Sequence, residues 1–193
     1  MSGAIEIITK SANDICIHTP LCILRPLSKK DITPQYIERL NDPNFNRYLE
    51  TRHEVQTLDT VRAWVNSYNT DPSRLLFGIF RNEEHIGNAT IYAIDNQHKC
   101  MRVGISVVKK DFRSQGCGRL ALMSLAKYGF EEMEMNRVEA GVYQHNLVTV
   151  NMCYKAGFHL EAVFKNRVFF EGEFIDMLFF VQLREDFLNQ ANE

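Results

Sequence analysis

The stretch that most constrains this chain runs through Val103–Val108, then Arg113-Ser114-Gln115-Gly116-Cys117-Gly118-Arg119, then Leu120–Met133. The first part is an apolar, β-branched run. The last carries Leu122, Leu125, Ala126, Phe130 and Met133 at helical spacing. A strand therefore ends, the chain turns through glycines and a helix begins. The first backbone N–H groups of such a helix have no internal partners. Together with the positive end of the helix dipole they favour an anion. Gly116 and Gly118 lack Cβ, which lets a phosphate approach the backbone. Arg113 and Arg119 add fixed positive charge. The stretch reads as a pyrophosphate cradle. It is not a P-loop, because no Gly-Lys-Ser/Thr follows, and two glycines do not make a dinucleotide fingerprint. The alternative is an ordinary strand-to-helix turn whose glycines serve sterics.

Around this unit the chain alternates in pattern. Ile15–His18 is a short edge strand or arm, and Leu21–Leu27 reads as the first firm strand. Ser28, with Asp31 three residues on, offers a helix cap. Pro34 suits the first turn of a helix running to about Leu40. Asn41–Asn44 reads as a turn. A polar, aromatic and charged stretch follows to Glu54, either a plain surface loop or a substrate-facing segment. Val61, Trp64, Val65 and Tyr68 mark a helix capped by Thr57-Leu58-Asp59. Leu75–Arg81, His85–Ile94 and Met101–Val108 form an antiparallel meander. Arg137–Tyr143 follows the cradle helix, so the crossover implies parallel neighbours there. Val148–Lys155 is a short helix with Gly157 after its end. Two long strands, Leu160–Phe170 and Phe174–Leu183, close the chain, and the tail after Arg184 is polar. The expected fold is α/β: a mixed, mostly antiparallel central sheet with helices on both faces, in one domain over residues 1–193.

Composition narrows function. A chain of 193 residues with 45% hydrophobic residues can bury a sizeable core. A net charge of −2 gives no basic footprint for nucleic acid. Five cysteines without a C-x-x-C pair suggest neither a disulfide framework nor a metal site, and fit a reducing cytoplasm. No apolar run is long enough to span a membrane or to act as a leader.

The run Val108-x4-Arg113-x2-Gly116-x-Gly118 resembles the acetyl-CoA pyrophosphate loop of the GCN5-related N-acetyltransferases (GNAT). Asn146-x2-Thr149 and Lys155-Ala156-Gly157-Phe158 follow at the expected distance. Leu24-Arg25-Pro26-Leu27 with Asp31, and Ile86-Gly87-Asn88, also resemble this family, over about residues 21–184. Within it the chain looks like the Rim-type branch, named for enzymes acting on ribosomal-protein N-termini. The 44–53 stretch and the closing Gly172-Glu173 with Asp176 are similar to enzymes acting on nucleotide-linked amino sugars.

The resemblance implies the acyl-CoA N-acyltransferase fold and direct acetyl transfer from acetyl-CoA to a primary amine, with no metal. It assigns Ser106, Val107, Val108, Arg113, Ser114, Gln115, Gly116, Cys117, Gly118, Arg119, Asn146 and Lys155 to acetyl-CoA. Many relatives place a thiolate-protonating tyrosine where this chain has Cys153, with Tyr154 one residue later, about 100° around a helix. Either side chain is open as the acid. Relatives often carry a strand glutamate where Arg102 stands, which leaves Glu50, His53, Glu54 and His145 as base candidates. Tyr154, His145 and Glu50 are the residues selected for catalysis. Arg47, Tyr48, Arg52 and His53 are selected for the acceptor. The acceptor is expected to be an amino-sugar nucleotide, with a protein N-terminus as the alternative. A non-catalytic acetyl-CoA-binding module is the rival of another class. The last strands offer an edge for a homodimer.

Overall fold

The middle of the sheet comes from residues 75–107, where β-branched and aromatic side chains fill three successive strands. The structure, a computed structural model, describes residues 4–9, 15–107, 112 and 115–190. The strands are β1 (Glu6–Thr9), β2 (Ile15–His18), β3 (Ile23–Pro26), β4 (Leu75–Arg81), β5 (Glu84–Asp95), β6 (Cys100–Val107), β7 (Arg137–Tyr143), β8 (His159–Phe170) and β9 (Glu173–Leu183). The helices are α1 (Pro34–Leu40), α2 (Pro43–Asn46), α3 (Leu58–Asn69), α4 (Cys117–Glu131), α5 (Leu147–Lys155) and α6 (Arg184–Gln190). The sheet has nine strands in the order β1-β2-β3-β4-β5-β6-β7-β9-β8. Pairs β1/β2, β2/β3, β3/β4, β7/β9 and β8/β9 are antiparallel, and β6/β7 is parallel. The mixed, mostly antiparallel sheet is as the sequence implies. The parallel ladder pairs Cys100–Arg102 with Arg137–Glu139, and each strand runs on beyond it.

The chain forms two compact units. One comprises Met1–Thr90 and Ile105–Ala121, and the other Ile91–Gly104 and Leu122–Glu193. In the first, Leu27, Ile32, Tyr36, Leu40, Val61, Val65, Leu76 and Phe80 form a core beneath α1 and α3. In the second, α4 lies on the Met101 and Val138 side of the sheet, so close that a Cβ on Gly129 would collide with Met101 Cε.

Several boundaries differ from the sequence reading. Ser28 caps only a 3-10 turn, Lys29–Asp31, and α1 has its own cap. Pro34 pushes Thr33 out of the helical region (φ −99°, ψ 158°), and the Thr33 hydroxyl accepts from Tyr36 N–H. The Asn41–Asn44 turn contains the start of α2, because Asp42 accepts from Asn44 N–H at 2.9 Å. The polar tail is a helix: the Phe187 ring packs tilted against Phe130, with centroids 5.1 Å apart, and the Arg184 guanidinium donates to the Phe130 carbonyl. Those contacts lie far apart in sequence, so no local pattern announces α6. Strand β1 likewise arises from pairing with β2.

Candidate active site

At the start of α4, Gly116 adopts φ +90°, a left-handed conformation that favours glycine. The first helical bond there is Leu120 N–H to Gly116 O at 3.0 Å. The amides of Cys117, Gly118 and Arg119 precede that bond and belong to the first turn. The loop is pinned from behind: Cys22 Sγ donates to Cys117 O at 3.8 Å, and Cys117 is fully buried. Arg81, the last residue of β4, donates to Gln115 Oε1 at 2.6 Å and lies 5.2 Å from the Phe112 ring centroid. Arg119, in the first turn of α4, is exposed. First-turn amides, with Arg119 on the same turn and Arg81 bonded to Gln115 just before it, are a donor set suited to phosphate. Val108, Arg113 and Ser114 lie outside the described residues. Arg81 escaped the sequence reading because only the fold brings it to Gln115. Ser106 and Val107, both partly buried, end β6 in the same unit. Among the described residues no group of three or more His, Cys, Asp or Glu could hold a metal ion.

The polar stretch after α2 forms a second group in this unit. Asn41 closes its base, donating to Gln56 O and accepting from Gln56 N–H, both at 2.8 Å. The Arg47 guanidinium lies 5.4 Å from the Tyr48 ring, and Arg52 donates to Leu49 O at 2.9 Å. Glu50 and His53 are exposed on a 3-10 turn, Glu50–His53. Where the sequence reads as a plain surface loop or a substrate-facing segment, the chain makes this 3-10 turn.

In the other unit, Asn146 caps α5, accepting from Thr149 N–H at 3.3 Å. The helix ends in a Schellman motif: Gly157 N–H bonds Tyr154 O at 3.1 Å and Phe158 N–H bonds Cys153 O at 3.0 Å, with Gly157 at φ +87°. Lys155 is exposed in its last turn. Tyr154 is 52% exposed and meets Phe180 edge-on at 5.1 Å. Cys153 is fully buried, and burial pushes its thiol up to about 12. Such a thiol is a poor donor toward a thiolate of ordinary basicity, near 8.5. His145 is exposed, 6.0 Å from the Phe170 ring.

Arg102, standing where relatives often have a glutamate, donates to Glu139 at 3.0 Å, and Arg137 donates to the same carboxylate at 2.7 Å. Burial works against ionisation of Glu139. The two arginines outweigh it and hold the carboxyl below its usual range. Glu139 is therefore an anchored ion and not a base poised near neutral pH.

A family model, Acetyltransferase (GNAT) domain, matches residues 22–159. The chain belongs to the GNAT acetyltransferase family. The match takes in parts of both units. A GNAT relative in Bacillus subtilis (strain 168), the uncharacterized N-acetyltransferase YnaD, is 26% identical over 171 residues, 88% of this chain and 98% of its own. Among solved structures, RimL, a ribosomal L7/L12 alpha-N-protein acetyltransferase in complex with coenzyme A, is similar with a TM-score of 0.77 at 18% identity. The match covers 92% of this chain and 98% of that one. A spermidine N-acetyltransferase from Vibrio cholerae, in complex with CoA and spermine, gives 0.76 at 19% identity, over 88% and 99%. At such identities the structures show a shared fold. The chain is an N-acetyltransferase with the GNAT fold.

Proposed function

We propose that this enzyme transfers acetyl directly from acetyl-CoA to the primary amine of an amino-sugar nucleotide. The observation that carries the cosubstrate is the cradle: Gly116 at φ +90°, the first-turn amides of α4, and the cations Arg81 and Arg119. These groups would hold the pyrophosphate, with Arg113 and Ser114 of the same loop. Ser106, Val107 and Val108 would bind the pantetheine arm and orient the thioester carbonyl, and Asn146 and Lys155 would serve the same ligand. Acetyl-CoA supplies the activated acyl group. A donor fixed on the developing oxyanion is typically worth about 2.7–4 kcal/mol.

The acceptor assignment is supported by Arg47 beside the Tyr48 ring, with Arg52 and His53 on the 3-10 turn that follows: guanidinium groups suit phosphate and the ring suits an apolar sugar or base face. The same cations disfavour a polyamine, which carries like charge. A sugar amine needs only mild help to lose its proton, so an exposed group such as His145 or Glu50 suffices as the base. Tyr154, whose hydroxyl belongs to a half-exposed side chain, is assigned to protonate the thiolate, whereas the Cys153 thiol is not. The Rim-type branch, a cytoplasmic location and a homodimer built on the last strands belong to the same reading.

The test is thiol release from acetyl-CoA against amino-sugar nucleotides, N-terminal peptides and spermidine. Each active pair is repeated with Tyr154→Phe, His145→Ala and Glu50→Gln. We expect sugar-nucleotide turnover, and a collapse of rate in the variant lacking the acid or base. Turnover of peptides alone would move the enzyme to protein N-termini. Binding of acetyl-CoA without turnover of any amine would make it a non-catalytic module.

A further inference from the structure

We propose that Gly87 is a positioning residue for the β6 backbone at Ser106–Val107, locked in place by a buried Tyr36–Asn88–His85 hydrogen-bond chain. The proposal rests on the reading of Ser106–Val107 as the segment that binds the pantetheine arm.

Gly87 lies in β5, and β5 neighbours β6 in the sheet. A Cβ at this position would overlap the Ser106 carbonyl oxygen. It would also stand 3.0 Å from Val107 Cα and 3.2 Å from Ser106 C. All three are main-chain atoms, so no side-chain rotation relieves the clash. The glycine is not required for its own backbone conformation, since Gly87 is not among the positive-φ residues. It is required for approach: only hydrogen at this carbon lets β6 come so near.

The Gly87 carbonyl is also held by a side chain of its own strand. His85 Nε2 lies 2.8 Å from Gly87 O and 3.1 Å from Asn88 Oδ1. Both partners are acceptors, so Nε2 carries the proton and donates to the pair. The Asn88 carboxamide then donates to the Tyr36 hydroxyl at 2.5 Å. Asn88 and Tyr36 are buried. The His85 ring is fixed between aromatic neighbours, with centroids 4.6 Å from Tyr36 and 5.1 Å from Phe80. Displacement of the Gly87 carbonyl would break its bond to His85 and disturb this buried network. The place where Ser106 and Val107 stand is thus set by a glycine on the neighbouring strand and by three side chains behind it.

The experiment measures acetyl-CoA binding to the full chain by calorimetry, for wild type, Gly87→Ala, His85→Leu and His85→Gln. Amide shifts of Ser106 and Val107 are recorded by NMR without ligand. A displacement on the order of 1 Å at such a site costs up to ~10²-fold. For Gly87→Ala we therefore expect acetyl-CoA affinity to fall ~10- to 100-fold, with both amides shifted. His85→Leu, which adds no bulk at β6, should lose affinity more mildly, and His85→Gln should recover part of it, because its carboxamide still donates. Val65→Ala, a core variant in α3, serves as a stability-matched control and should bind like wild type. Should Gly87→Ala fail to fold, the two His85 variants decide. Wild-type binding with folded Gly87→Ala within about twofold, or with both His85 variants unchanged, overturns the proposal and leaves the acetyl-CoA reading intact. A wild type that does not bind acetyl-CoA overturns both.

Discussion

Asp31 should contribute stability that disappears in acid, and the variant Asp31→Asn isolates it. Arg25 donates to both carboxylate oxygens, at 2.8 and 2.9 Å. The Ser28 amide and hydroxyl donate at 2.6 and 2.7 Å. Burial alone would raise the pKa of Asp31. These bonds outweigh it and hold the carboxyl at about 2. An unstructured aspartate titrates near 3.9, so the folded value lies about two pH units lower, equivalent to roughly 2.5 kcal/mol. The Arg25 side chain is 38% exposed. Solvent screening there lowers the expectation to about 1.5 kcal/mol. Because the folded pKa is the depressed one, this stability is complete above the unfolded pKa and is lost as pH falls from about 4 toward 2. Urea unfolding of wild type and Asp31→Asn at pH 7 and pH 3 gives the comparison. The variant should be less stable by about 1.5 kcal/mol at pH 7, and roughly half of that gap should be gone at pH 3. A gap equal at both pH values would refute an ionic origin and leave only shape and packing.

Three further outcomes follow from the same geometry. Phe130→Ala, at a fully buried ring, should lower stability by about 3–5 kcal/mol in denaturant titration. Cys153→Ala should retain activity within about threefold, because a thiol pushed up to about 12 holds its proton too tightly to protonate a thiolate of ordinary basicity. A loss of 10²-fold would overturn that assignment. Arg81→Ala releases Gln115 and removes one cation from the cradle. Acetyl-CoA affinity should fall by about tenfold at low salt and by less as ionic strength rises, as calorimetry would show.

The parts of the chain that were legible in sequence are those set by near neighbours. Gly157 announces the end of α5 because a left-handed residue closes a Schellman motif, and Gly116 announces the turn into α4 because the chain there also takes a left-handed conformation that favours glycine. Strands β4 and β7 fall within the predicted bounds because apolar runs there meet turn residues at both ends. Capping was read one step too early at Ser28, where Thr33 competes for the same role just before Pro34. The stretch after α2 gave no periodicity, because its order comes from the Asn41–Gln56 clasp across fifteen positions.

What the sequence determined by itself is therefore local: the strand–glycine–helix unit, the run of strands before it and the family signature. What only the tertiary structure decided is long-range. It placed β9 between β7 and β8. It brought Arg81 to Gln115, set Glu139 between two arginines, and pressed Gly87 against Ser106. Local choices depend on φ/ψ preferences and side chains a few residues apart, which a sequence displays. The long-range contacts depend on which distant surfaces bury each other with their polar groups satisfied, and that balance exists only once the chain is folded.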